Sequence, residues 1–280
     1  MVSRPDRKHF SHFLTILLEK LFVNSHLFCW NVYCATAKKR ITLGSLVLPS
    51  FMIEAVIFDV DGTLVDSVDL HAEAWQRAFR KFGKHVSFGA IRRQIGKGSD
   101  QLLPVFFSKK ELKDLGEEID NYRGDLFKKE YLPRVKAFPK VRELFERILQ
   151  DHKQIALASS AKPDELKTYR EICNVDDLIQ GETSSGNVEK SKPCPDIFEA
   201  ALEQLGNPPA NRVIVIGDTA YDATAAEQAN LSTIGLLCGG WTEDELSRAG
   251  CIATYRDPAD LLARYKESPL VQPSAQISSA

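Results

Sequence analysis

The sequence lacks the features that would place it in a membrane, on nucleic acid or in a disulfide scaffold. Its early apolar run, Phe13–Leu18, stops at Glu19 and Lys20 and is too short to span a bilayer. A net charge of −2 gives no electrostatic reason to bind nucleic acid or an anionic membrane. The six cysteines show neither C-x-x-C spacing nor the density of a disulfide scaffold. We therefore expect a cytoplasmic protein with no nucleic-acid or membrane partner.

The size and composition of the chain are those of an ordinary globular protein. It has 280 residues, of which 44% are hydrophobic and 26% are charged, and it contains no internal repeat. This is enough chain for one substantial core and a second, smaller domain. We expect a monomer or a weak dimer.

The most informative segment is residues 53–64, an apolar run that ends in two aspartates and a glycine. A short run rich in branched and aromatic residues is typical of a buried strand, and Gly62 permits a turn directly after it. Asp59 and Asp61 therefore lie at the carboxyl end of a predicted strand. In open α/β sheets ligands bind at that edge, although an acidic turn without function is the alternative for this segment alone.

Three further polar signals follow the first one along the chain. Two of them come directly after apolar runs, at 154–158 and 212–216, and the third lies next to two prolines. The polar side chains concerned are Ser159, Ser160, Lys192, Asp218 and Asp222. Because the carboxyl ends of parallel strands meet at one edge of a sheet, these side chains are predicted to lie near the aspartate pair.

The ordered set of four signals, over residues 53–222, resembles the haloacid dehalogenase-like hydrolase superfamily. Its motifs are D-x-D-G-T, a Ser or Thr after the second strand, a Lys before a helix and an acidic G-D-x-x-x-D. The resemblance implies an α/β fold with a doubly wound, Rossmann-like parallel-sheet core and an inserted helical cap of the C1 type. Phosphoglycolate phosphatases and β-phosphoglucomutases belong to this group.

Each motif residue has a chemical role that phosphoryl transfer to a carboxylate requires. The resemblance implies that Asp59 is the nucleophile and forms an aspartyl-phosphate, while Asp61 serves as general acid and then general base. Ser159 would donate to a phosphate oxygen, and the backbone N–H groups of Ser160 and its successor would add to that cradle. Lys192 would offset the charge of phosphate and aspartates. A turn residue is the alternative for Ser159 and a solvated charge for Lys192, so both assignments rest on the ordered set of motifs.

The cofactor is predicted to be Mg²⁺, because the candidate ligands are hard oxygens and no His or Cys cluster accompanies them. Asp59 and Asp218 would supply carboxylate oxygens, and Asp61 its backbone carbonyl. Asp222, four residues after Asp218, faces the same site if a helix begins near Ala220. Capping of that helix is the alternative role for Asp218 or Asp222.

The segment between the first two motifs is predicted to be a helical cap domain. Its apolar residues recur at helical spacings of four and three, beginning with Val68, Ala72, Trp75 and Phe79. The predicted organisation is an N-terminal extension over 1–51, a core over 52–66 and 134–267, a cap over 67–133 and a disordered tail over 268–280. Such a cap excludes water and selects the substrate.

The extension over residues 1–51 has three interpretations. Its seven Lys and Arg against two acidic residues, with scattered Ser and Thr, resemble a transit peptide, whereas a secretory signal is less well supported. The interpretation we favour is that Met52, directly before the first strand, is the true start of the protein.

Substrate contacts are predicted in the cap. The glycine-flanked loop Ile95–Asp100 carries Lys97, which could bind a phosphate or carboxylate of the substrate, although a plain helix-to-helix turn is the alternative. His71 is placed either near the leaving group or on the surface.

The predicted function is that of a Mg²⁺-dependent phosphomonoesterase acting on a small phosphorylated metabolite, such as phosphoglycolate or a sugar phosphate. The superfamily's mutases commonly carry an Arg where Asp100 stands here, which favours a phosphatase. A sugar-phosphate mutase resembling β-phosphoglucomutase is the alternative, and a non-catalytic phosphometabolite sensor is the second. The presence of Asp61 disfavours dehalogenases and phosphonatases, which lack that aspartate.

Overall fold

The centre of the molecule is a six-stranded sheet in which every pair of neighbouring strands is parallel. The computed structural model describes residues 52–271, which belong to one compact unit. The strands of the sheet are β1 (Ala55–Phe58), β4 (Gln154–Ala158), β5 (Gly181–Thr183), β6 (Val213–Gly217), β7 (Ser232–Leu236) and β8 (Cys251–Tyr255). They lie side by side in the order β5-β4-β1-β6-β7-β8. A separate antiparallel pair consists of β2 (Val65–Asp66) and β3 (Lys136–Ala137).

The helices fall into an inserted group and a group around the sheet. The inserted helices are α1 (Val68–Lys81), α2 (Phe88–Arg92), α3 (Ser99–Phe106) and α4 (Lys109–Leu126), followed by a π-helical turn, Phe127–Tyr131, and a 3₁₀ turn, Leu132–Arg134. The others are α5 (Val141–Gln150), α6 (Pro163–Cys173), α7 (Asp196–Gln204), α8 (Ala220–Gln228), α9 (Glu243–Arg248) and α10 (Pro258–Ala263). Further 3₁₀ turns are Ser185–Asn187, Ala210–Arg212, Leu237–Gly239 and Tyr265–Glu267.

Both faces of the sheet are covered by helices, because successive side chains of a strand point to opposite faces. On β1, Val56 and Phe58 pack with apolar residues of α5, α6 and α10. Ala55 and Ile57, on the other face, pack with residues of α7 and α8. All four of these side chains are fully buried. The predicted α/β fold with a doubly wound parallel sheet is confirmed.

The helices between β2 and β3, which we call the helical insert (residues 67–133), have a hydrophobic cluster of their own. α1 contributes Trp75 and Phe79, which pack with Ile91 of α2 and with residues of α3 and α4. The insert leaves and rejoins the rest of the chain through β2 and β3, which pair directly. The predicted division of the chain into a core and a cap domain stays a prediction.

The helical insert lies against the loops that follow the strands of the sheet at their carboxyl ends. The Tyr221 hydroxyl donates to the backbone oxygen of Arg93 at 2.8 Å. The Arg93 guanidinium lies 3.6 Å from the centroid of the Trp241 ring. The backbone N–H of Gly98 donates to Ser191 Oγ at 2.9 Å. The insert thus covers the edge of the sheet where ligands bind in this fold class.

The packed part of the chain extends beyond residue 267. Ser268 is fully buried, and Leu270 is 1% exposed within the main hydrophobic cluster, although both belong to the tail predicted to be disordered. Burial of Leu270 among apolar neighbours is favourable, which explains why the chain stays packed there. Residues 272–280, and the extension 1–51 with its three interpretations, lie outside the described residues.

Among residues 52–271, no helix has the length and apolar character that a membrane crossing requires. The cytoplasmic location, the oligomeric state and the expected absence of nucleic-acid and membrane partners stay predictions.

Candidate active site

The site begins where β1 ends and the chain turns sharply. Asp59 directly follows the last strand residue and is 3% exposed. Gly62 adopts φ +83°, a left-handed conformation that favours glycine. A Cβ atom at Gly62 would lie 2.4 Å from Asp218 Oδ2, so only glycine lets the backbone pass this carboxylate. The turn therefore brings the end of β1 against the end of β6.

Three carboxylates from two strand ends form a buried acidic cluster, which consists of Asp59, Asp218 and Asp222. One oxygen of each lies within 4.8 Å of the others. Gly239, after β7, closes the cluster from the side, since a Cβ there would lie 1.6 Å from Asp218 Oδ2. That same Asp218 oxygen is buried and has no hydrogen-bond partner among residues 52–271. The cluster has the oxygen chemistry and the unmet coordination that suit a divalent cation such as Mg²⁺.

Lys192 is the positive charge that faces the acidic cluster. Its side chain is fully buried, its Nζ donates to Asp59 Oδ1, and Nζ lies 2.8 Å from Asp222 Oδ1. Nζ also donates to the backbone oxygen of Ala158, at the end of β4, at 3.1 Å. Burial alone would lower the pKa of Lys192, but the charges of Asp222 and Asp59 raise it above its ordinary value. Lys192 is therefore held as a cation.

The acidic cluster carries more negative charge than Lys192 offsets. Burial raises the pKa of Asp59 to about 7, although Lys192 opposes that shift. Burial, together with the charges of Asp59 and Asp222, raises the pKa of Asp218 well above its ordinary value. Both shifts have the direction expected for carboxylates that lack a second cation.

Asp61 occupies a different environment from Asp59, although only one residue separates them. Its Oδ1 accepts from Ser67 Oγ at 2.6 Å and lies 2.9 Å from His71 Nε2. Burial would raise the pKa of Asp61, but the charge of His71 and the hydrogen bonds from His71 and Ser67 lower it below its ordinary value. The Asp61 side chain is thus held apart from the acidic cluster, on the side of the helical insert.

His71 is buried rather than on the surface, with 7% of its area exposed. Its ring stacks on that of Phe127 at a centroid distance of 3.9 Å. Its Nε2 lies 3.1 Å from the hydroxyl of Tyr169, a fully buried residue of α6. The insert and α6 together therefore fix the partner of Asp61.

Asp222 both caps a helix and belongs to the acidic cluster. The Thr219 hydroxyl and N–H donate to Asp222 Oδ2 at 2.6 and 3.0 Å, and the N–H of Asp222 donates back to Thr219 Oγ1. This reciprocal pair is a capping box at the start of α8, which begins at Ala220. One oxygen of Asp222 is thus committed to the helix, and the other faces Lys192.

Ser159 and Ser160 lie directly after β4. The Ser159 side chain is fully buried, and its Oγ accepts from the N–H of Ala161 at 3.0 Å. Ser160 Oγ donates to the backbone oxygen of Gly96, in the helical insert, at 3.4 Å. Ser160 also lines the cavity at the site. The phosphate-binding role of both residues stays a prediction.

A cavity of about 270 Å³ opens between the sheet edge and the helical insert. Asp59, Asp61 and Lys97 line it. Lys97 Nζ donates to Gln94 Oε1 at 2.7 Å, and burial lowers the pKa of Lys97. The structure therefore brings the predicted cap lysine to the same cavity as the two aspartates.

Several residues of the site escaped the sequence analysis. They are Thr63, Ser67, Asp120, Arg123 and Tyr169. Thr63 Oγ1 lies 3.2 Å from Asp59 Oδ2 and 3.1 Å from Asp218 Oδ1, and its place in D-x-D-G-T was the available signal. Asp120, Arg123 and Tyr169 lie on helices where only a helical pattern is visible, so no local signal distinguishes them.

Comparison with known proteins agrees with this geometry. Residues 56–236 match the family described as haloacid dehalogenase-like hydrolase. The matched range includes the two aspartates after β1, Lys192 and both aspartates after β6. The chain belongs to the haloacid dehalogenase-like hydrolase family.

The alignments with two bacterial relatives cover most of the length of those proteins. The chain is 29% identical over 216 residues to a phosphorylated carbohydrates phosphatase of Thermotoga maritima, which covers 77% of this chain and 99% of that protein. It is 29% identical over 195 residues to a phosphoglycolate phosphatase of Aquifex aeolicus, covering 67% of this chain and 86% of that protein.

Solved structures share the fold. A hydrolase from Pseudomonas syringae superposes with a TM-score of 0.70 at 29% identity, covering 76% of this chain and 98% of that one. A putative β-phosphoglucomutase from Bacteroides vulgatus superposes with a TM-score of 0.70 at 20% identity, covering 81% and 93%. At that lower identity the similarity concerns the fold alone.

Replacement of Lys192 by Met should destabilise the protein in a pH-dependent way. With a chelator present, the free energy of unfolding should fall by about 3–5 kcal/mol at pH 8, because buried carboxylates lose their cation. Without Lys192 the pKa of Asp59 rises further above its unfolded value, so the loss shrinks as the pH falls towards 5 and Asp59 becomes neutral. Urea unfolding at several pH values measures this.

The matched control is Lys190→Met, which removes an exposed lysine two residues away. It should change stability by less than about 0.5 kcal/mol at every pH. A pH-independent loss in Lys192→Met would mean that packing, rather than charge pairing, explains the burial of Lys192.

Proposed function

We propose that the protein is a Mg²⁺-dependent phosphomonoesterase that acts on a small phosphorylated metabolite through an aspartyl-phosphate on Asp59. The observation that carries this proposal is the contrast between two neighbouring aspartates that line one cavity. Asp59 contacts Lys192 within the acidic cluster, whereas Asp61 is held apart by Ser67 and His71. This contrast supports the assignment of Asp59 as nucleophile and Asp61 as proton carrier.

Asp59 attacks the phosphorus atom of the substrate and displaces the leaving alcohol. Phosphoryl transfer requires groups that offset the negative charge on the phosphate oxygens. Lys192 supplies one positive charge beside Asp59. Ser159, with the backbone N–H groups that follow β4, supplies donors at the neighbouring strand end.

Asp61 transfers protons in both halves of the reaction. It gives a proton to the leaving alcohol and then takes one from the water that hydrolyses the aspartyl-phosphate. The low pKa of Asp61 suits the second step. Binding of an anionic phosphate beside Asp61 raises its pKa and suits the first.

The acidic cluster would hold Mg²⁺, with Asp218 as the main ligand, because Asp218 Oδ2 is buried without a hydrogen-bond partner among the described residues. Asp59, the backbone carbonyl of Asp61 and Asp222 complete the predicted set. When bound, the cation keeps Asp59 ionised and offsets the charge of the phosphate.

The helical insert acts as the cap in this proposal. It covers the carboxyl edge of the sheet, and its residues form one wall of the cavity. A closed cap excludes bulk water, which strengthens the electrostatic interactions within the site. The insert also supplies His71, the partner of Asp61.

A phosphatase is favoured over a mutase by the environment of Asp100. Its carboxylate accepts from the N–H of Ser191 at 3.1 Å and from the Ser191 hydroxyl. The position in the cap loop that carries an Arg in the mutases therefore holds an anion here, whereas a mutase needs a cation at that position to hold the second phosphate of its bisphosphate intermediate.

The activity is tested with a panel of phosphate esters that includes phosphoglycolate, hexose and pentose phosphates and an aryl phosphate. We expect Mg²⁺-dependent release of inorganic phosphate from at least one sugar phosphate or phosphoglycolate. Conversion of glucose 1-phosphate to glucose 6-phosphate without phosphate release would identify a mutase. Tight binding of an ester without turnover would identify a sensor.

Replacement of Asp218 should weaken metal use far more than replacement of Asp222. Asp218→Ala removes a carboxylate whose Oδ2 is buried without a hydrogen-bond partner among residues 52–271. In Asp222, Oδ2 accepts from Thr219, and Oδ1, although it has no well-formed hydrogen bond, lies 2.8 Å from the Lys192 ammonium. We expect the half-saturating Mg²⁺ concentration to rise by about tenfold or more in Asp218→Ala. Calorimetric Mg²⁺ titration of the folded variants measures this, and equal titrations of wild type and Asp218→Ala would refute the assignment.

The two aspartates should differ in their response to the leaving group. Asp59→Asn removes the nucleophile, so no phosphoenzyme should form with any ester. Asp61→Asn removes proton transfer, which an aryl leaving group scarcely needs, so turnover of alkyl phosphates should fall by about 10²- to 10⁴-fold.

Rapid-quench labelling separates these steps. With an aryl phosphate, Asp61→Asn should accumulate phosphoenzyme, because hydrolysis lacks its base. The variant must first be shown to be folded and to bind Mg²⁺. If its turnover of aryl and alkyl phosphates then falls equally and no phosphoenzyme accumulates, the role of Asp61 as acid and base is wrong.

A further inference from the structure

One wall of the cavity contains buried polar atoms that lack hydrogen-bond partners. Asp120 Oδ1 and Arg123 Nε are both buried without a partner among residues 52–271. Both residues lie on α4 of the helical insert, one turn apart, and both line the cavity. Buried polar groups in native proteins are normally satisfied, so this pair has the capacity to bind polar groups of a molecule in the cavity.

The neighbours of the pair hold it in place without satisfying it. Lys162 Nζ lies 3.0 Å from Asp120 Oδ2, which leaves Oδ1 free. The Arg123 guanidinium lies 4.7 Å from the centroid of the Trp75 ring, and Arg123 as a whole is 8% exposed. The nearest carboxylates to the guanidinium, Asp120 Oδ1 at 3.6 Å and Glu165 Oε1 at 3.9 Å, are beyond hydrogen-bond distance.

The charges at this wall are balanced. Arg123 and Lys162 supply two positive charges, and Asp120 and Glu165 supply two negative ones. A second carboxylate or phosphate on the substrate would gain from Arg123 but would meet the unpaired oxygen of Asp120. Like charges at close range are unfavourable in a partly buried site. The wall therefore does not suit a substrate that carries a second anionic group besides its phosphate.

A pair of adjacent hydroxyl groups matches the wall. Each hydroxyl both donates and accepts, so one can accept from Arg123 Nε while its neighbour donates to Asp120 Oδ1. We propose that Asp120 and Arg123 form a diol-binding subsite, and that the substrate is a sugar or polyol phosphate rather than phosphoglycolate. This inference rests on the proposed function, since it assigns the part of the substrate that lies beyond the phosphate.

Binding of a diol at the subsite would also stabilise the contact between the helical insert and the sheet edge. Asp120 belongs to the insert, and its partner Lys162 follows β4 two residues after Ser160. A bound diol would add hydrogen bonds to this same wall while its phosphate lies beside Asp59 and Asp61. The substrate thus bridges the insert and the sheet edge, which couples recognition to exclusion of water.

The experiment compares kcat/KM for a hexose phosphate, its analogue lacking one hydroxyl of the diol, phosphoglycolate and 4-nitrophenyl phosphate. The variants are Asp120→Ala and, as a milder change in case the first fails to fold, Arg123→Lys. Thermal unfolding verifies that each variant is folded. The control is Asp114→Ala, an exposed aspartate on the same helix.

In the wild type we expect a higher kcat/KM for the hexose phosphate than for phosphoglycolate. Removal of one hydroxyl of the diol should lower kcat/KM by about 10- to 100-fold, as for the loss of hydrogen bonds to charged groups. In Asp120→Ala and Arg123→Lys, the ratio of kcat/KM for the hexose phosphate to kcat/KM for the aryl phosphate should fall by a similar factor. In these variants, removal of the substrate hydroxyl should lower kcat/KM little further, because the substitution and the deoxy analogue remove the same interaction. Asp114→Ala should retain the wild-type ratios.

Three results would overturn the inference. A preference for phosphoglycolate over every sugar phosphate refutes the diol subsite but leaves the phosphatase intact. Unchanged hexose-to-aryl ratios in folded Asp120→Ala and Arg123→Lys refute the assignment of these residues. Absence of Mg²⁺-dependent phosphate release from every ester, the aryl phosphate included, refutes the proposed function itself, and the subsite with it.

Discussion

The arrangement of the site depends on one buried lysine between two carboxylates. Lys192 is fully enclosed, contacts Asp59 at the end of β1 and Asp222 at the start of α8, and donates to the last residue of β4. The ends of β1 and β4 and the first turn of α8 are thereby held around a single charge. Because an unpaired buried charge is costly, this contact constrains the arrangement of these three segments. The acidic cluster forms where those loops meet.

The same edge separates two chemically identical side chains. Asp59 points into the acidic cluster, whereas Asp61 points to the helical insert, where Ser67 and His71 hold it. The turn at Gly62 makes the separation possible. Opposite environments shift the pKa values of the two aspartates in opposite directions, which allows neighbouring carboxylates to take different roles in one reaction.

The helical insert covers the cavity and also supplies side chains to it. It places His71 against Asp61, and it presents Asp120 and Arg123 on the facing wall. In the proposed function, the sheet edge supplies the nucleophile and the metal ligands, and the insert supplies the contacts to the substrate beyond its phosphate. Such a division lets a common reaction act on different substrates through changes in the insert alone.

The amino-acid sequence by itself determined the parallel sheet and the four polar signals at its edge. These are local features: an apolar run predicts a strand, and the residues after it must lie at the strand's end. Thr63 belongs to the same local motif, so its position at the strand end also follows from the sequence. The metal ligands and the roles of the aspartates remain predictions that the geometry supports.

Only the tertiary structure decided which helical residues reach the site. The helical residues concerned are Tyr169, Asp120 and Arg123. The sequence pattern of their helices predicts an apolar face, but it does not predict which other segments the helix packs against. The pairing of Asp61 with His71 likewise depends on how α1 packs over the sheet edge. Contacts between distant segments arise from packing as a whole, whereas a strand end and its following residues are fixed by their neighbours in the chain.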